Sequence, residues 1–261
     1  LLTRALPWLL PALTGALVLA AWEILVRTAE IPPYVLPGPH AIAVALLGDW
    51  GSLFASLVVT LRITFLALAA AIVGGGGLAI LFAQSRFLAA SLYPYAIVLQ
   101  VTPIVAISPL ILIYVRDQTL ALLICAWIVA FFPVLSNTTL GLRAADHGLV
   151  ELMELYGAGR WRMLWHLRLP AAMPYFLAGV RIAGGLSLIG AVVAEFTAGT
   201  ATAGSGLAYR ILESGYRLDI PRMYAALVLL SLAGVAIYGA LGLLSWLLLR
   251  RWHESERTHE R

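Results

Sequence analysis

The chain has 261 residues, of which 62% are hydrophobic and 11% charged, with a mean hydropathy of +0.93. No water-soluble fold carries so much apolar surface, so the composition describes an integral membrane protein. The net charge of +4 rests on 17 basic residues, all arginine, and is no signature of nucleic-acid binding, because in a membrane chain basic residues mainly set orientation.

A bilayer core about 30 Å thick takes roughly 20 apolar residues per helix. Windows of that kind fall at 7–27, 58–84, 88–114, 119–141, 173–196 and 222–250. They predict an all-α protein of about six transmembrane helices, organised as a single domain over 1–261. The first window could be a secretory signal peptide, but its apolar run is long and the following Trp22-Glu23 offers no small-residue cleavage site. Residues 31–39, IPPYVLPGP, form a proline-rich extended segment, and AIAVALLGDW after it reads as an interfacial element. Residues 74–77 in the second window are all glycine, which permits close helix packing.

The third window contains Pro94, Pro103 and Pro109 and is expected to be kinked or broken. Non-helical backbone at membrane depth is tolerated only where protein or a water-filled route satisfies it. Tight turns are expected at Ser85-Arg86 and at 115–118. The single cysteine, Cys125, falls in the fourth window, so an internal disulfide and a thiolate metal cluster are both excluded.

From 142 to 170 the pattern changes. Acids come early (Asp146, Glu151, Glu154) and arginines late (Arg160, Arg162, Arg168), an order that complements a helix dipole. Tyr156-Gly157-Ala158-Gly159 interrupts the segment, predicting two short helices joined by a turn whose small residues let another backbone approach. Trp161 and Trp165, four apart, share a face. Such a helix suits an interfacial anchor and a docking element equally well. Residues 197–221 form a second long connection, an outer re-entrant or interfacial segment, with Leu207, Ile211 and Leu218 spaced for one helical face. The tail RRWHESERTHER is charged and is expected to fray.

With the N-terminus inside, ten arginines fall on the inner side and six, among them Arg62, on the outer side, which favours both termini being cytoplasmic. Arg181 belongs to neither side. Polar or small residues at membrane depth are the candidates for a translocation path or gate: Gln100, Thr102, Pro103, Ser108, Asn137, Ser187 and Glu195. Each singly can equally be an interhelical hydrogen bond. Glu195 reads either as an outer-gate residue or as a helix end reaching interface water. Arg181 and Glu195 lie about 21 Å apart along one helix, so each needs a partner elsewhere.

The spacing Glu151-x5-Gly157-x9-Leu167-x-Leu169-Pro170 resembles the EAA loop of ATP-binding-cassette importer permeases, E-A-A-x3-G-x9-I-x-L-P. Leu152, Met153 and Leu167 depart from it. The flanks are similar to the nitrate, sulfonate and taurine branch: Leu99-Gln100-x2-Pro103-x2-Ala106-x2-Pro109-Leu110, Phe131-Phe132-Pro133, Leu169-Pro170-Ala171-Ala172-x-Pro174 and Ala194-Glu195. The likeness covers residues 35–250. After Leu110 the branch usually has a short aromatic-glycine step, where this chain reads Ile113-Tyr114-Val115-Arg116-Asp117.

The resemblance implies a type I importer-like permease of the bacterial inner membrane, paired with a second copy of itself. It further implies two cytoplasmic ATP-binding subunits and an extracytoplasmic substrate-binding protein as partners. The chain holds no G-x4-G-K-[ST] loop, so ATP and magnesium belong to the partner subunits and the permease has no catalytic residue or cofactor of its own. The expected ATPase-coupling contact is Glu151, Leu155, Tyr156, Gly157, Ala158, Arg160, Trp161 and Pro170. The implied cargo is a small nitrate-, sulfonate- or taurine-like anion or a pyrimidine-type vitamin precursor. A rhomboid-like protease would need a Ser–His pair within the bundle, yet the five histidines lie in loops, the inner-loop helix or the tail. A secondary transporter or channel would be expected to show an inverted repeat or several buried ionisable residues, and the sequence shows neither.

Overall fold

A computed structural model describes residues 2–199 and 205–250, with side chains from residue 9 onward. The stretch 200–204 and the tail from 251, with three of the arginines used for orientation, lie outside the described residues. The described chain is helical throughout and contains no strand. It divides into two units, one of residues 1–58 with 200–231 and one of 59–199 with 232–261.

The first unit contains helix α1 (Leu2–Thr28), α2 (Pro39–Gly48), the start of α3 (Trp50–Gln84), α10 (Leu207–Tyr216) and the start of α11 (Ile220–Leu249), with the numbers between filled by the helices of the second unit. Its core is Ile42, Leu53, Leu207, Ala225, Ala226 and Leu229. Glu23 of α1 accepts the His40 backbone N–H at 3.0 Å, supplying the carboxylate that the exposed amides of the α2 N-terminus favour. Pro39 opens α2, where its missing N–H costs nothing. The expected interfacial element is therefore a helix. Leu218 lies beyond α10 with φ 58°, exposed, and so is not on a shared helical face with Leu207 and Ile211. It holds the left-handed position of a C-terminal cap, with the Asp219 N–H donating to the Ser214 carbonyl at 2.9 Å and its own N–H to that of Gly215 at 3.1 Å.

The second unit contains the rest of α3, then α4 (Arg86–Val101), α5 (Ile104–Tyr114), α6 (Gln118–Arg143), α7 (His147–Leu155), α8 (Arg160–Met163), a π-helical turn at Leu164–Arg168, α9 (Leu169–Ala198) and the rest of α11. Its dominant packing is α6 against α9. Glycine makes this possible. A Cβ on Gly179 would stand 2.8 Å from the Pro133 carbonyl oxygen and 2.9 Å from the Asn137 Cβ; one on Gly190 would stand 2.8 Å from the Ala126 Cα. Of the four glycines at 74–77, Gly75 is the one in closest contact, against the α6 backbone at Phe131 and Leu135, while a Cβ on Gly77 would meet nothing.

Helices α4 and α5 meet at an angle of 100° across Thr102-Pro103. They serve opposite ends of the unit. Ala96 and Leu88 of α4 pack with Phe82, Leu142 and Leu164, whereas Ile104 and Ile111 of α5 pack with Ile63, Leu122 and Ala194. The broken pair thus packs at both ends of the unit, α4 at one and α5 at the other.

Among the described residues five helices are individually long and apolar enough to cross a membrane, six if the bent pair counts as one span. Two boundaries differ from the sequence expectation. The second span starts at Trp50 and runs 35 residues, so Arg62, assigned outside the bilayer, lies within the helix. The fifth starts at Arg160 and runs 39 residues, because α8, the π-helical turn and α9 form one continuous helical rod. Apolar windows mark only the lipid-crossing part of a helix, and at ~1.5 Å per residue both extend well beyond a hydrocarbon core of about 30 Å.

Replacing Gly179 with leucine is expected to destabilise the protein by at least about 1–3 kcal/mol through overpacking against rigid backbone. Gly77→Ala is expected to be neutral or slightly stabilising. Thermal unfolding of both variants in detergent checks the contrast.

Candidate functional site

Residues 144–170 form a surface-displayed elbow followed by the start of a spanning rod. Asp146 caps α7 by accepting the Leu149 N–H at 3.1 Å. The helix ends in a left-handed turn at Gly157, φ 68°, with the Ala158 N–H donating to the Met153 carbonyl and the Gly157 N–H to that of Glu154, both at 2.9 Å. That paired hydrogen-bond pattern is the reason a glycine is needed there. A Cβ at 157 would touch nothing, so backbone conformation alone makes the demand and the space around the turn stays open.

The elbow presents apolar surface. Leu155 and Tyr156 are 85% and 82% exposed, and Trp161 and Trp165 are each 64% exposed. Glu151 and Arg160 are exposed on either side of the turn and Ala158 is half-buried. Met163 and Leu164 point the other way: both are buried, Leu164 within the core containing Phe82 and Leu142. The structure thus brings Glu151, Leu155, Tyr156, Gly157, Ala158, Arg160 and Trp161 onto one connected surface. Pro170 is set apart from it, at the start of α9. It lacks the N–H that would continue the helical ladder, and the π-helical turn directly precedes it, where a widened turn absorbs the missing bond.

The path candidates divide into two groups. Glu195 is 4% exposed and accepts the Thr60 hydroxyl at 2.9 and 3.1 Å through its two carboxylate oxygens. It is therefore not a helix end reaching interface water. Ser108, fully buried on α5, shares a hydrogen bond of 2.9 Å with Thr197, two residues beyond Glu195 on α9. Pro103 forms the entry to α5, and the Thr102 hydroxyl donates to the Val98 carbonyl at 2.6 Å, closing the last turn of α4 on the near side of the break. Gln100 is exposed beside it.

Among the described residues Asn137 and Ser187 form no hydrogen bond between helices. The Asn137 amide donates to the Pro133 carbonyl at 2.8 Å and the Ser187 hydroxyl to the Gly184 carbonyl at 2.9 Å, each within its own helix. These bonds answer the polar groups within their own helices. Thr60 and Thr197 are the residues that sequence reasoning missed. The signal was weak: a threonine at helical spacing in an apolar run also back-bonds to its own helix, as Thr64 does to the Thr60 carbonyl at 2.8 Å.

In the first unit an ionic cluster ties α10 to the starts of α3 and α11. Arg222 donates to Asp49, to Glu213 and Ser214 at 3.3 Å each, and to Ser52 at 3.2 Å. Arg210 donates to Glu213 at 2.9 Å and to Ser56 at 3.0 Å. The Arg210 hydrogen bond, opposed by burial and helped by Arg222, holds the Glu213 carboxyl below its ordinary range. Burial pushes Asp49 upward, but the Ser52 and Arg222 hydrogen bonds outweigh it and the net shift is also downward. Among the described residues no His, Cys, Asp and Glu cluster could hold a metal ion.

The family model for the inner membrane component of binding-protein-dependent transport systems matches residues 71–253. A riboflavin transport system permease of Chloroflexus aurantiacus is 32% identical over 249 residues, covering 93% of this chain and 89% of that one. A formylaminopyrimidine transport permease of Halalkalibacterium halodurans is 30% identical, covering 92% and 94%. A putative aliphatic sulfonates transport permease of Escherichia coli is 28% identical, covering 99% and 96%.

Both Asp49 and Glu213 have folded pKa values lowered from the ordinary carboxylate range. Their contribution to stability is in place above that range, near ~4, and is lost as the pH falls through the lowered folded values. Thermal stability is expected to hold from neutral pH to about 5 and to drop below about 4. Arg210→Gln, which removes the strongest support of Glu213, is expected to move that drop to higher pH in unfolding scans across the range.

Proposed function

We propose that this chain, which belongs to the family of binding-protein-dependent transport system inner membrane components, couples ATP hydrolysis to solute import through the exposed elbow at 151–161. Membership makes it a multi-pass inner-membrane permease subunit of an ATP-binding-cassette importer for small solutes, working with ATPase and binding-protein partners. The finer assignments are our reading. Two copies pair in the membrane, two ATP-binding subunits dock from the cytoplasm, and both termini face that side.

The observation that carries the reading is the elbow itself. An apolar tip of Leu155 and Tyr156 stands clear of the fold at the EAA spacing, with Glu151 and Arg160 beside it. A partner groove supplies the missing cover for such a tip. Closure of the ATPase pair moves the tip, and the continuous rod from Arg160 to Ala198 carries the motion across the membrane as a rigid-body shift. Pro170 keeps a place in this scheme as part of the joint, not of the docking surface.

At the far end of the rod, Glu195 with Thr60 and Ser108 with Thr197 lie where α5 turns away from α4, and we assign these four to the gate of the path. Gln100, Thr102 and Pro103 line the break itself. Asn137 and Ser187 act in helix packing. Alternating access then opens the two ends of the path in turn. The cargo reading follows the relatives' names: an oxyanion such as a sulfonate, or a heterocycle of the pyrimidine or flavin kind. ATP and magnesium are bound by the partner subunits. An ATPase-independent transporter or channel has no observation in its favour.

Gly157→Val tests the coupling assignment. A β-branched residue in the left-handed region carries about 1–2 kcal/mol of strain, enough to shift the elbow's population roughly five- to thirtyfold. ATP-driven uptake in proteoliposomes of the full complex is expected to fall by a comparable factor, with membrane insertion unchanged. Undiminished uptake would remove the elbow from the coupling contact.

A further inference from the structure

Arg181 lies near the middle of α9, and the Tyr238 ring that it meets lies near the middle of α11. Both are long apolar helices of the second unit. The guanidinium carbon sits 3.9 Å from the ring centroid, so the ring covers one face of the cation. The Nε is buried with no acceptor, and among the described residues Arg181 forms neither a hydrogen bond nor an ion pair.

The neighbourhood is shaped for this side chain. A Cβ on Gly242 would come within 3.2 Å of the Arg181 Nη2 and 3.3 Å of its Cζ, so the absence of a side chain there gives the guanidinium its berth. The site is not sealed. Arg181 and Gly242 are only partly buried and Tyr238 is 57% exposed, so the terminal Nη groups, unlike the buried Nε, keep an approach from outside the unit. Glu195, the other charged residue on α9, is engaged with Thr60 and lies about 21 Å away along the helix. A cation at membrane depth is costly and persists where an anion or water answers it. A guanidinium braced on one face presents its donors edge-on, the geometry that grips two oxygens of one anion.

We propose that Arg181, Tyr238 and Gly242 form a site on two spanning helices for an oxyanion of the phosphate or sulfonate kind. Two sources carry that chemistry: the headgroup phosphate of an anionic phospholipid, and an anionic solute in transit. The site requires only that α9 and α11 cross the membrane. A failed coupling test at Gly157 would leave it standing, and its own failure would leave the coupling test untouched.

The test is thermal unfolding of the delipidated full chain in neutral detergent. It is titrated with phosphatidylglycerol, with a galactosyl diacylglycerol of matching tails and no phosphate, and with methanesulfonate against chloride at equal ionic strength. The expected result is a saturable rise in midpoint with phosphatidylglycerol or with methanesulfonate. Its apparent affinity should weaken roughly tenfold or more in Arg181→Gln and largely recover in Arg181→Lys. A rise with phosphatidylglycerol but not methanesulfonate assigns the site to a lipid headgroup; a rise with methanesulfonate assigns it to the solute. If Arg181→Gln does not fold, Tyr238→Leu with Arg181 intact is expected to weaken the same titration severalfold. No rise with either anion, an equal rise with the galactolipid, or titrations unaltered by these substitutions would overturn the site.

Discussion

The close approach of α6 and α9 is the constraint on which the second unit depends. Gly179 and Gly190 on α9 place one helix backbone against the other, at distances that leave no room for a β-carbon. In lipid no hydrophobic effect drives two apolar helices together, so association depends on contact at short range and on small residues that allow it. Gly141 repeats the device near the end of α6, where a β-carbon would stand 2.9 Å from the Ala172 Cα. Because α9 continues without interruption through the π-helical turn to Arg160, whatever α6 holds in place also holds the base of the elbow. The buried Leu164, packed with Leu142, closes that end of the pair.

Polar groups at depth follow a second rule, that each must be answered within reach. Most are answered by their own helix: Thr138 and Thr139 donate to the Val134 and Leu135 carbonyls at 2.6 and 2.7 Å, and Asn137 and Ser187 behave alike. Such groups need nothing from a substrate. The Thr60–Glu195 and Ser108–Thr197 pairs instead join separate helices, beside the one span whose backbone is broken. A group that links moving elements is better placed to gate a path than one that serves its own turn. Arg181 is answered only by an aromatic face, which sets it apart from both groups.

Much of this was legible in the residues. The six spans, the break at Pro103 and the turn at Gly157 follow from apolar run length, proline chemistry and the conformational freedom of glycine. The EAA spacing located the elbow and its family. Helix ends were misplaced because an apolar window does not mark where a helix stops: α3 starts at Trp50, ahead of its window, and the α8–α9 rod starts at Arg160, among arginines. Leu218 was misassigned because heptad-like spacing is blind to a helix that stops at Tyr216 and caps itself with a leucine in the left-handed region. Within the path candidates the sequence gives residue type but not the direction of a hydroxyl. It therefore could not separate Ser108, which bonds across helices at 2.9 Å as well as back to the Val105 carbonyl at 3.4 Å, from Ser187, which bonds only back to its own helix among the described residues.

If α6 and the α8–α9 rod form one rigid body that the ATPases move as a whole, distances within that body stay constant through the cycle. Spin labels at Leu140 on α6 and Trp165 in the π-helical turn report on it, since both side chains are exposed and tolerate a label. Their separation would be measured by pulsed electron resonance in the complete complex, with and without ATP. The account predicts the same distance distribution in both states, alongside a change between Trp165 labels on the two copies of the chain. A shift of several ångströms between Leu140 and Trp165 would show the rod moving independently of α6 and would contradict it.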